Sequence, residues 1–358
     1  IMLRRSGMAT EWSRANNTPT VTSRMKKVLK VLGWSLVAIV AVAILGYAIA
    51  VWVTNSRYER QWVAHEASFP IPFPLSDAEV ATLREERVAA GAAVGDPLAG
   101  VDLGSVAQER AISRGKRIVT SRLGCAGCHG ANFGGHALVD EPMVGRWIAP
   151  NITTGQGSVT IGYTASNWDR AVRHGLRRDG RTSSMPSVDF LNLSDRELSD
   201  IVAYIRSMPA VDGDPGKVEF GPVLNVLLAL GKVKVMAAFD IDHMAPHAVE
   251  PPDAAATGEF GAHLVQACRG CHALNLSGGK LAGDPAMPIV ANLTPHETGL
   301  KDWTEADFIR ALREGKRPDG SAISEYMPWK AYGNMNDTEL KAIWAYLRTL
   351  EPVEKGSR

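Results

Sequence analysis

Cysteine is scarce and net charge is almost absent in this chain of 358 residues, and both facts exclude classes of protein. Four cysteines are too few for a small secreted scaffold held together by disulfides. Lysine plus arginine (39) nearly cancels aspartate plus glutamate (38), which argues against nucleic acid as a partner. With 45% hydrophobic and 22% charged residues the composition is that of a folded protein, and the length allows two or three domains.

One long hydrophobic run stands near the start of the chain. Residues 31–53 contain no charged side chain, and about 20 apolar residues suffice to cross a bilayer as a helix. The basic residues Arg24, Lys26, Lys27 and Lys30 precede the run. By the positive-inside rule, residues 1–30 are predicted to be a cytoplasmic tail, residues 31–53 a transmembrane anchor, and everything after them extracytoplasmic.

A cleaved signal peptide is the alternative interpretation of this run, because residues 48–50 (AIA) are similar to a cleavage site. The run is longer than a usual signal core and continues past that site, which favours an uncleaved anchor. The first 24 residues carry no periodic apolar pattern. They are interpreted either as a disordered tail or as an over-extended reading frame.

Residues 54–105 are predicted to connect the anchor to the rest of the chain. Alternating prolines over 69–74 indicate an extended, stiff path, and Ser76 is an N-cap candidate for a helix that reaches about Ala90. From residue 106 the chain repeats itself, which predicts two domains, 106–212 and 255–358, with a linker at 213–254. The matched segments, 140 to 143 residues apart, are 125–129 with 268–272, 151–153 with 292–294, 175–180 with 315–320, and 185–186 with 327–328.

Each copy is predicted to be a helical globule with its own core, because two copies are too few for a repeat array. Thr304, with Asp307 three residues later, has the spacing of a helix start, and Gly315 that of a helix end. The loops rich in Gly, Pro and Asn show no alternation typical of strands. In the linker, residues 223–239 are apolar enough to form a helix over the seam between the copies, or a docking surface for a partner.

The four cysteines fall into two Cys-x-x-Cys-His motifs, one in each copy. This motif is typical of covalent haem c attachment: two thiols on one helical turn meet the two vinyl groups, and the histidine ligates the iron. A zinc site would need a second ligand pair for each metal, and a thioredoxin-like pair would need a βαβ pattern. The motif residues are Cys125, Cys128 and His129 in the first copy and Cys268, Cys271 and His272 in the second.

The second axial ligand decides between an electron carrier and a catalytic haem. Met185 and Met327 occupy matching positions after the motifs, and each is followed by proline in a loop between predicted helices. They are the ligand candidates, with core methionines as the alternative interpretation. Met143 and Met287 are rival candidates that would have a short reach around the haem edge.

Together, these motifs and a closing Ala-Tyr-[Ile/Leu]-Arg helix resemble the class I cytochrome c domain, over about residues 106–212 and 255–352. The most similar form is that of cytochrome c subunits of bacterial membrane-bound alcohol and gluconate dehydrogenases. The resemblance implies class I cytochrome c domains, although such subunits are commonly anchored differently. With the anchor predicted from the apolar run, the expected fold is mainly α, an N-terminal transmembrane helix followed by two tandem class I cytochrome c domains. The resemblance also implies two haem c groups with His/Met-ligated iron, His129 with Met185 and His272 with Met327. Such subunits often carry three haems, whereas this chain has two motifs.

The expected function is electron transfer, without catalysis, at the outer face of the bacterial cytoplasmic membrane, with both haem domains in the periplasm. The expected partners are the membrane, through the N-terminal helix, and a redox donor and acceptor: a dehydrogenase, an oxidase or another cytochrome. One alternative is the electron-accepting subunit of a membrane-bound dehydrogenase complex. A dihaem peroxidase is a weaker alternative, because it would need an iron with an open position.

Other polar residues have two possible roles. Asn151 and Asn292 are expected either to cap a loop or to bind a haem propionate. Arg177 and Arg317 either pair with propionates or lie solvated. The resemblance also implies that a proline carbonyl, that of Pro150, holds the ring of His129. This feature is not expected in the second copy, where Ala291 replaces the proline. The remaining histidines do not recur between copies and are expected at the surface or in the linker: His136, His174, His243, His247, His263 and His296.

Overall fold

The computed structural model describes residues 21–91, 95–281 and 287–357. Most of the predicted tail, residues 1–20, therefore lies outside the described residues. The chain divides into two compact units, Ile1–Ile49 and Ala50–Arg358. The described part is mainly helical, as the sequence predicted.

The first helix, α1 (Val21–Tyr58), contains the apolar run and extends beyond both ends of the predicted span. Its segment Arg24–Tyr58 is long and apolar enough to cross a membrane. The connector contains α2 (Asp77–Ala89), which begins at the predicted N-cap. The Ser76 hydroxyl accepts from the Glu79 amide, and the Glu79 carboxylate accepts from the Ser76 amide. This reciprocal pair satisfies two amides that the first turn leaves unpaired.

The two sequence repeats fold into similar sets of helices. The first contains α3 (Leu103–Ile118), a π-helical turn (Val119–Leu123), α4 (Cys125–His129), β1 (His136–Glu141), β2 (Gly145–Ala149), α5 (Ala165–Val172), a 3-10 turn (Ser187–Asp189) and α6 (Asp195–Ser207). Between the repeats lie β3 (Glu219–Phe220), α7 (Pro222–Ala229) and a 3-10 turn (Ala237–Asp240). The second contains α8 (Gly258–Leu264), α9 (Gln266–His272), α10 (Glu305–Glu314), α11 (Trp329–Tyr332) and α12 (Asp337–Leu347).

A small sheet formed by two strands of the first repeat and one of the linker was not expected from the sequence. Its strands β1, β2 and β3 are antiparallel, and the register shifts between Ala137 and Val139. This irregularity and the half-exposed faces of β1 and β2 leave no clean alternation of apolar and polar residues. Backbone pairing, rather than a hydrophobic face, defines these strands.

The linker differs from its prediction as well. The apolar segment 223–239 forms the short helix α7 and a 3-10 turn instead of one helix. Thr54 and Arg57, at the end of α1, donate to the carbonyls of Asn225 and Leu228 at 3.2 and 2.8 Å. Leu224 and Leu228 are buried beside Tyr58. This segment therefore packs against the last turns of α1.

Each repeat has its own hydrophobic core, as predicted. The first core includes Phe69, Ile118, Phe133, Trp168, Leu198 and Ile201, and the second includes Phe260, Leu264, Leu276, Phe308, Leu340 and Leu347. Phe69 comes from the predicted connector, so the proline-rich stretch is part of the first core rather than a free spacer.

In each repeat the first helix crosses the last at a glycine. A Cβ on Gly115 of α3 would lie 1.9 Å from the Asp200 carbonyl oxygen of α6. A Cβ on Gly261 of α8 would lie 1.9 Å from the Ala342 carbonyl oxygen of α12. Both distances are far below van der Waals contact. The two backbones therefore touch directly at each crossing, and only glycine permits it.

Acidic residues in the first turns of the last helices join the two repeats. Glu197 of α6 is buried between Arg122, at 2.7 Å, and His263 of α8, at 3.0 Å. Burial alone would raise the pKa of Glu197, but the charge of Arg122 and the hydrogen bond with His263 hold that pKa well below its usual value. Glu339 of α12 receives Arg117 of α3, whose side chain is 46% exposed. The two repeats thus contact each other through Glu197 and Glu339, which occupy equivalent positions. The basic partners of Glu197 are buried, whereas Arg117, the partner of Glu339, is half-exposed.

The expectation of surface or linker positions is wrong for two of these six histidines. His174 is fully buried, and His263 is bound to Glu197. His243 and His247 do lie in the linker, but their side chains are buried. Burial lowers the pKa of His243, and burial beside Arg173 lowers the pKa of His247 to about 4. These rings are therefore neutral near pH 7.

The helix crossing predicts opposite effects for two glycines of α8. Gly261→Ala forces α8 away from α12 and should cost about 1–3 kcal/mol, the usual range for overpacking. Gly258→Ala, whose Cβ would make ordinary contact at 3.9 Å, should be neutral or stabilising. Thermal unfolding of both haem-loaded proteins, followed by circular dichroism, measures the difference. Equal melting temperatures would contradict the crossing.

The two acidic contacts predict unequal losses for equivalent substitutions. Glu197→Gln keeps the helix-capping geometry but leaves the buried Arg122 without a countercharge, at a cost of about 3–5 kcal/mol. Glu339→Gln should cost about 1 kcal/mol or less, because Arg117 can turn into water. Denaturant titration of each variant gives both values, and a larger loss for Glu339→Gln would refute the difference in burial.

Candidate haem sites

Both Cys-x-x-Cys-His motifs form a single helical turn. They occupy α4 and the end of α9, with one cysteine half-buried and the other exposed in each. Burial raises the pKa of Cys125 and of Cys268 to about 12, because the inner thiols face the apolar cores. In each motif, therefore, one thiol lies against a core and the other near the surface, beside the histidine that ends the helix.

A backbone carbonyl holds each motif histidine in the same way. Nδ1 of His129 lies 2.9 Å from the Pro150 carbonyl oxygen, and Nδ1 of His272 lies 2.8 Å from that of Ala291. The expectation that this feature is missing from the second copy is therefore wrong, because the acceptor belongs to the main chain and needs no proline. A ring that donates through Nδ1 presents Nε2 as the ligating nitrogen. Burial lowers the pKa of His129, which favours the neutral form that binds metal.

Two glycines make room for these carbonyls. Gly135 and Gly278 have positive φ values of 76° and 67°, and each donates its amide to the carbonyl of the motif histidine. A Cβ on Gly135 would lie 2.5 Å from the Ala149 carbonyl oxygen, and one on Gly278 would lie 2.2 Å from that of Ala291. Sequence reasoning missed both glycines. Their common spacing of six residues after the motif histidines was the signal that could have found them.

The repeated Asn-x-Thr segments cap these loops. Asn151 donates to the Val211 carbonyl at 2.6 Å and accepts from the Thr153 amide. Asn292 makes the equivalent bonds to Val353 and Thr294. Of the two roles expected for these residues, the structure supports the loop cap. The segment carrying the histidine-binding carbonyl is thereby fixed to the chain that follows the last helix of each repeat.

The candidate methionines pack against the same core as the inner motif cysteine of their own repeat. Met185 and Cys125 pack against the first core, and Met327 and Cys268 pack against the second. The rival Met143 is 56% exposed at the turn between β1 and β2. The loop before Met185 is also tied to the sheet, since Nε1 of Trp147 donates to the Ser184 hydroxyl at 3.1 Å.

Buried indole groups fit a haem beside each core. Nε1 of Trp168 and Nε1 of Trp329 are buried, and neither has a hydrogen-bond acceptor within the described ranges. Buried indole N–H groups normally have one, and haem propionates are strong acceptors. Trp168 belongs to the first core, and Trp329 follows Met327 and Pro328. The thiols, the histidines and these donors together suit a haem in each repeat.

The arginines considered for propionate binding have protein partners. Arg177 lies 3.0 Å from the carboxylate of Glu59, just after α1. Arg317 donates to the Ala322 carbonyl, within its own turn. Neither is simply solvated: Arg177 ties the first repeat to the start of the connector, and Arg317 stabilises a loop.

The two repeats contact each other close to the Cys-x-x-Cys-His motifs. Helix α9 contacts the 3-10 turn that follows Met185, and α11, which follows Met327, contacts the π-helical turn that precedes Cys125. Gln266 donates to the Val188 carbonyl at 2.8 Å. A Cβ on Gly270 would lie 2.5 Å from Oδ1 of Asp189. Burial raises the pKa of Asp189 to about 6 at this contact.

Comparison with known proteins identifies both repeats. The cytochrome c family model matches residues 112–209 and 259–351, more than half of the chain. A diheme cytochrome c-type protein of Cereibacter sphaeroides is 26% identical over 268 residues, which cover 68% of this chain and 86% of the relative.

Two further relatives are subunits by name. The cytochrome c subunit of the quinone alcohol dehydrogenase of Gluconacetobacter polyoxogenes is 27% identical, over 75% of this chain and 62% of the subunit. The fructose dehydrogenase cytochrome subunit of Gluconobacter japonicus is 26% identical, over 68% of this chain and 53% of the subunit. The matches thus span between half and two thirds of these two relatives. They agree with haem c as the cofactor and with electron transfer, rather than catalysis, as the function. The chain belongs to the cytochrome c family.

Proposed function

We propose that this chain transfers single electrons between two redox proteins through two haem c groups, each with iron held between a histidine and a methionine. The ligand pairs are His129 with Met185 and His272 with Met327, and the attachment residues are Cys125 with Cys128 and Cys268 with Cys271. One observation carries the proposal: in both repeats the motif cysteine and the matching methionine lie against the same core.

The bound haem supplies the couple between Fe(II) and Fe(III). The protein's own groups set its environment. The carbonyls of Pro150 and Ala291 accept hydrogen bonds from the Nδ1–H groups of the two histidines. These bonds orient the rings and make their Nε2 atoms stronger ligands for a metal. A thioether opposite histidine raises the reduction potential and closes the iron to other ligands, which suits a carrier.

The contact between the repeats supports electron exchange within one chain. Because α9 lies against the turn after Met185, the motif of the second repeat is beside the methionine loop of the first. Helix α11, which follows Met327, in turn contacts the π-helical turn before Cys125. The methionine loop of the second repeat is therefore beside the motif of the first. The proposed domains, 106–212 and 255–358, thus act as one electron path.

The N-terminal helix supports a membrane location. We place the anchor in α1, with basic residues 24–30 in the cytoplasm and the haem domains, joined by connector 54–105 and linker 213–254, in the periplasm of a bacterium. The named relatives support a membrane-bound dehydrogenase as the electron donor. The acceptor would be an oxidase or another cytochrome.

The ligand pairs predict a spectroscopic result. Met185→Ala and Met327→Ala should each remove about half of the long-wavelength charge-transfer band of methionine bound to Fe(III), and should lower one of the two reduction potentials. Magnetic circular dichroism of the oxidised holoprotein, combined with a redox titration, measures both effects. Reduced variants should also bind carbon monoxide at the opened iron.

The rival methionines supply the controls. Met143→Ala and Met287→Ala should leave the band and both potentials unchanged. A wild-type protein without the band, or a loss of the band in either control variant, would overturn the ligand assignment.

The contact between Gly270 and Asp189 predicts a second pair of variants. Gly270→Ala should displace the Asp189 carboxylate from its place against α9 and slow electron exchange between the haems. The loss of stability should be small, because a side-chain end can turn away where a backbone cannot. Gly127→Ala, at the same motif position in the first repeat, meets nothing within 4 Å and should change neither quantity. Pulse radiolysis of the holoproteins measures the exchange rate. The same rate in both variants would refute a path across this contact.

A further inference from the structure

Four metal-binding side chains converge outside the haem sites. His65 comes from the connector, Asp169 and His174 come from α5 and the turn after it, and His247 comes from the linker. The side chains of Asp169 and His174 are fully buried, and those of His247 and His65 are 7% and 21% exposed. Three segments far apart in sequence thus meet at one point.

The distances between the donor atoms match a four-coordinate site. Bonds of about 2.0–2.1 Å to a tetrahedral metal place neighbouring ligand atoms about 3.3–3.4 Å apart. Nε2 of His174 lies 3.2 Å from Nε2 of His247 and 3.4 Å from Oδ2 of Asp169. Nε2 of His65 lies 3.8 Å from the same carboxylate oxygen. All four donor atoms lie within 4.8 Å of one another, so one ion could bind them once the more widely spaced ligands close around it.

A chain of hydrogen bonds sets the tautomer of His174. Nε2 of His243 donates to the Ala238 carbonyl, so Nδ1 of a neutral His243 is an acceptor. Nδ1 of His174 lies 3.1 Å from that acceptor and must donate to it. Nε2 of a neutral His174 then carries a lone pair, and this lone pair faces a carboxylate. Such an arrangement is repulsive unless a metal ion or a proton lies between the two groups.

The carboxylate of Asp169 is also oriented to bind a cation. Oδ1 of Asp169 accepts from Nε of Arg173 at 2.6 Å, so that oxygen already has a partner. Oδ2 is buried and has no hydrogen-bond donor among the residues that the structure describes. Buried carboxylate oxygens without donors are rare because they lose hydration and gain nothing. His65 is oriented too, since its Nδ1 lies 3.4 Å from the His243 carbonyl oxygen.

We propose that His65, Asp169, His174 and His247 bind one divalent transition-metal ion, zinc by the chemistry of the donor set, in a closed structural site separate from both haems. Three imidazoles and one carboxylate are ligands that zinc accepts in tetrahedral geometry. The hydrogen bonds from His243 and Arg173 are the supporting contacts that such ligands normally have.

The ion would join the connector and the linker to the first haem domain. It would also act next to the proposed methionine ligand, because the Gly175 carbonyl, beside His174, accepts from the amide of Ser183. The Ser183 hydroxyl in turn accepts from the amide of Met185. The metal would thereby fix the start of the segment that carries Met185.

Metal analysis of the haem-loaded full chain tests the proposal. The protein is purified in detergent without a metal-affinity step, exposed to zinc, dialysed, and analysed by plasma mass spectrometry. One zinc for every two haem irons is expected. X-ray absorption at the zinc edge should show about four nitrogen or oxygen neighbours at about 2.0–2.1 Å and no sulfur. A chelator should remove the zinc and leave the covalently bound haem spectrum in place.

Two ligand variants and one matched control complete the test. His65→Gln and His247→Gln should lose at least tenfold in zinc affinity, while His296→Gln, a histidine of the second repeat bonded to Thr298, should keep the wild-type value. Haem absorption reports whether each variant is folded, and His65→Gln removes the most exposed ligand and perturbs the core least. Failure of the wild type to retain any metal beyond haem iron would overturn the proposal and leave a proton between His174 and Asp169. Equal zinc retention in ligand and control variants would overturn it as well.

Discussion

The direct contact of two helix backbones in each repeat is the constraint on which the rest of the structure depends. At Gly115 and Gly261 the first helix approaches a carbonyl of the last helix so closely that no side chain fits. The Cys-x-x-Cys-His turn follows the first helix, and the methionine loop precedes the last. The crossing therefore sets how far apart the two proposed axial ligands of each iron can lie. In each repeat the first turn of the last helix also faces the other repeat. There Glu197 binds His263, and Glu339 binds Arg117.

The fold class and the chemistry of the motifs could be predicted from the sequence because they depend on local patterns. The capping pairs at Ser76 and Thr304 marked real helix starts, and the repeat implied two cores. The strands could not be predicted, since their pairing relies on main-chain bonds and an irregular register. The same reason explains the wrong expectation at Ala291: a carbonyl acceptor leaves no trace in side-chain identity. His65 and its neighbours were missed because the four residues come from three segments far apart in sequence and none recurs.

The two repeats have diverged most where they touch each other and the rest of the chain. In the first repeat, Glu197 binds a buried arginine and a histidine. In the second repeat, Glu339 binds a half-exposed arginine. Gly270 faces a carboxylate across the contact, but Gly127 faces open space. The first repeat also carries the sheet, the histidines and the contacts with the connector. The first repeat is thus fixed to the connector, and the second repeat is bound to the first.

The main-chain acceptors of His129 and His272 have a further consequence for the energetics of the two sites. Both acceptors are main-chain amide oxygens at nearly equal distances, so under the proposed ligation the two rings would be polarised to a similar degree. A difference in potential between the two proposed centres would then come mainly from unequal solvation and from nearby ionisable groups such as Asp189. The side chains at positions 150 and 291 can differ without changing this contact, whereas a change at the seam between the repeats would alter the driving force.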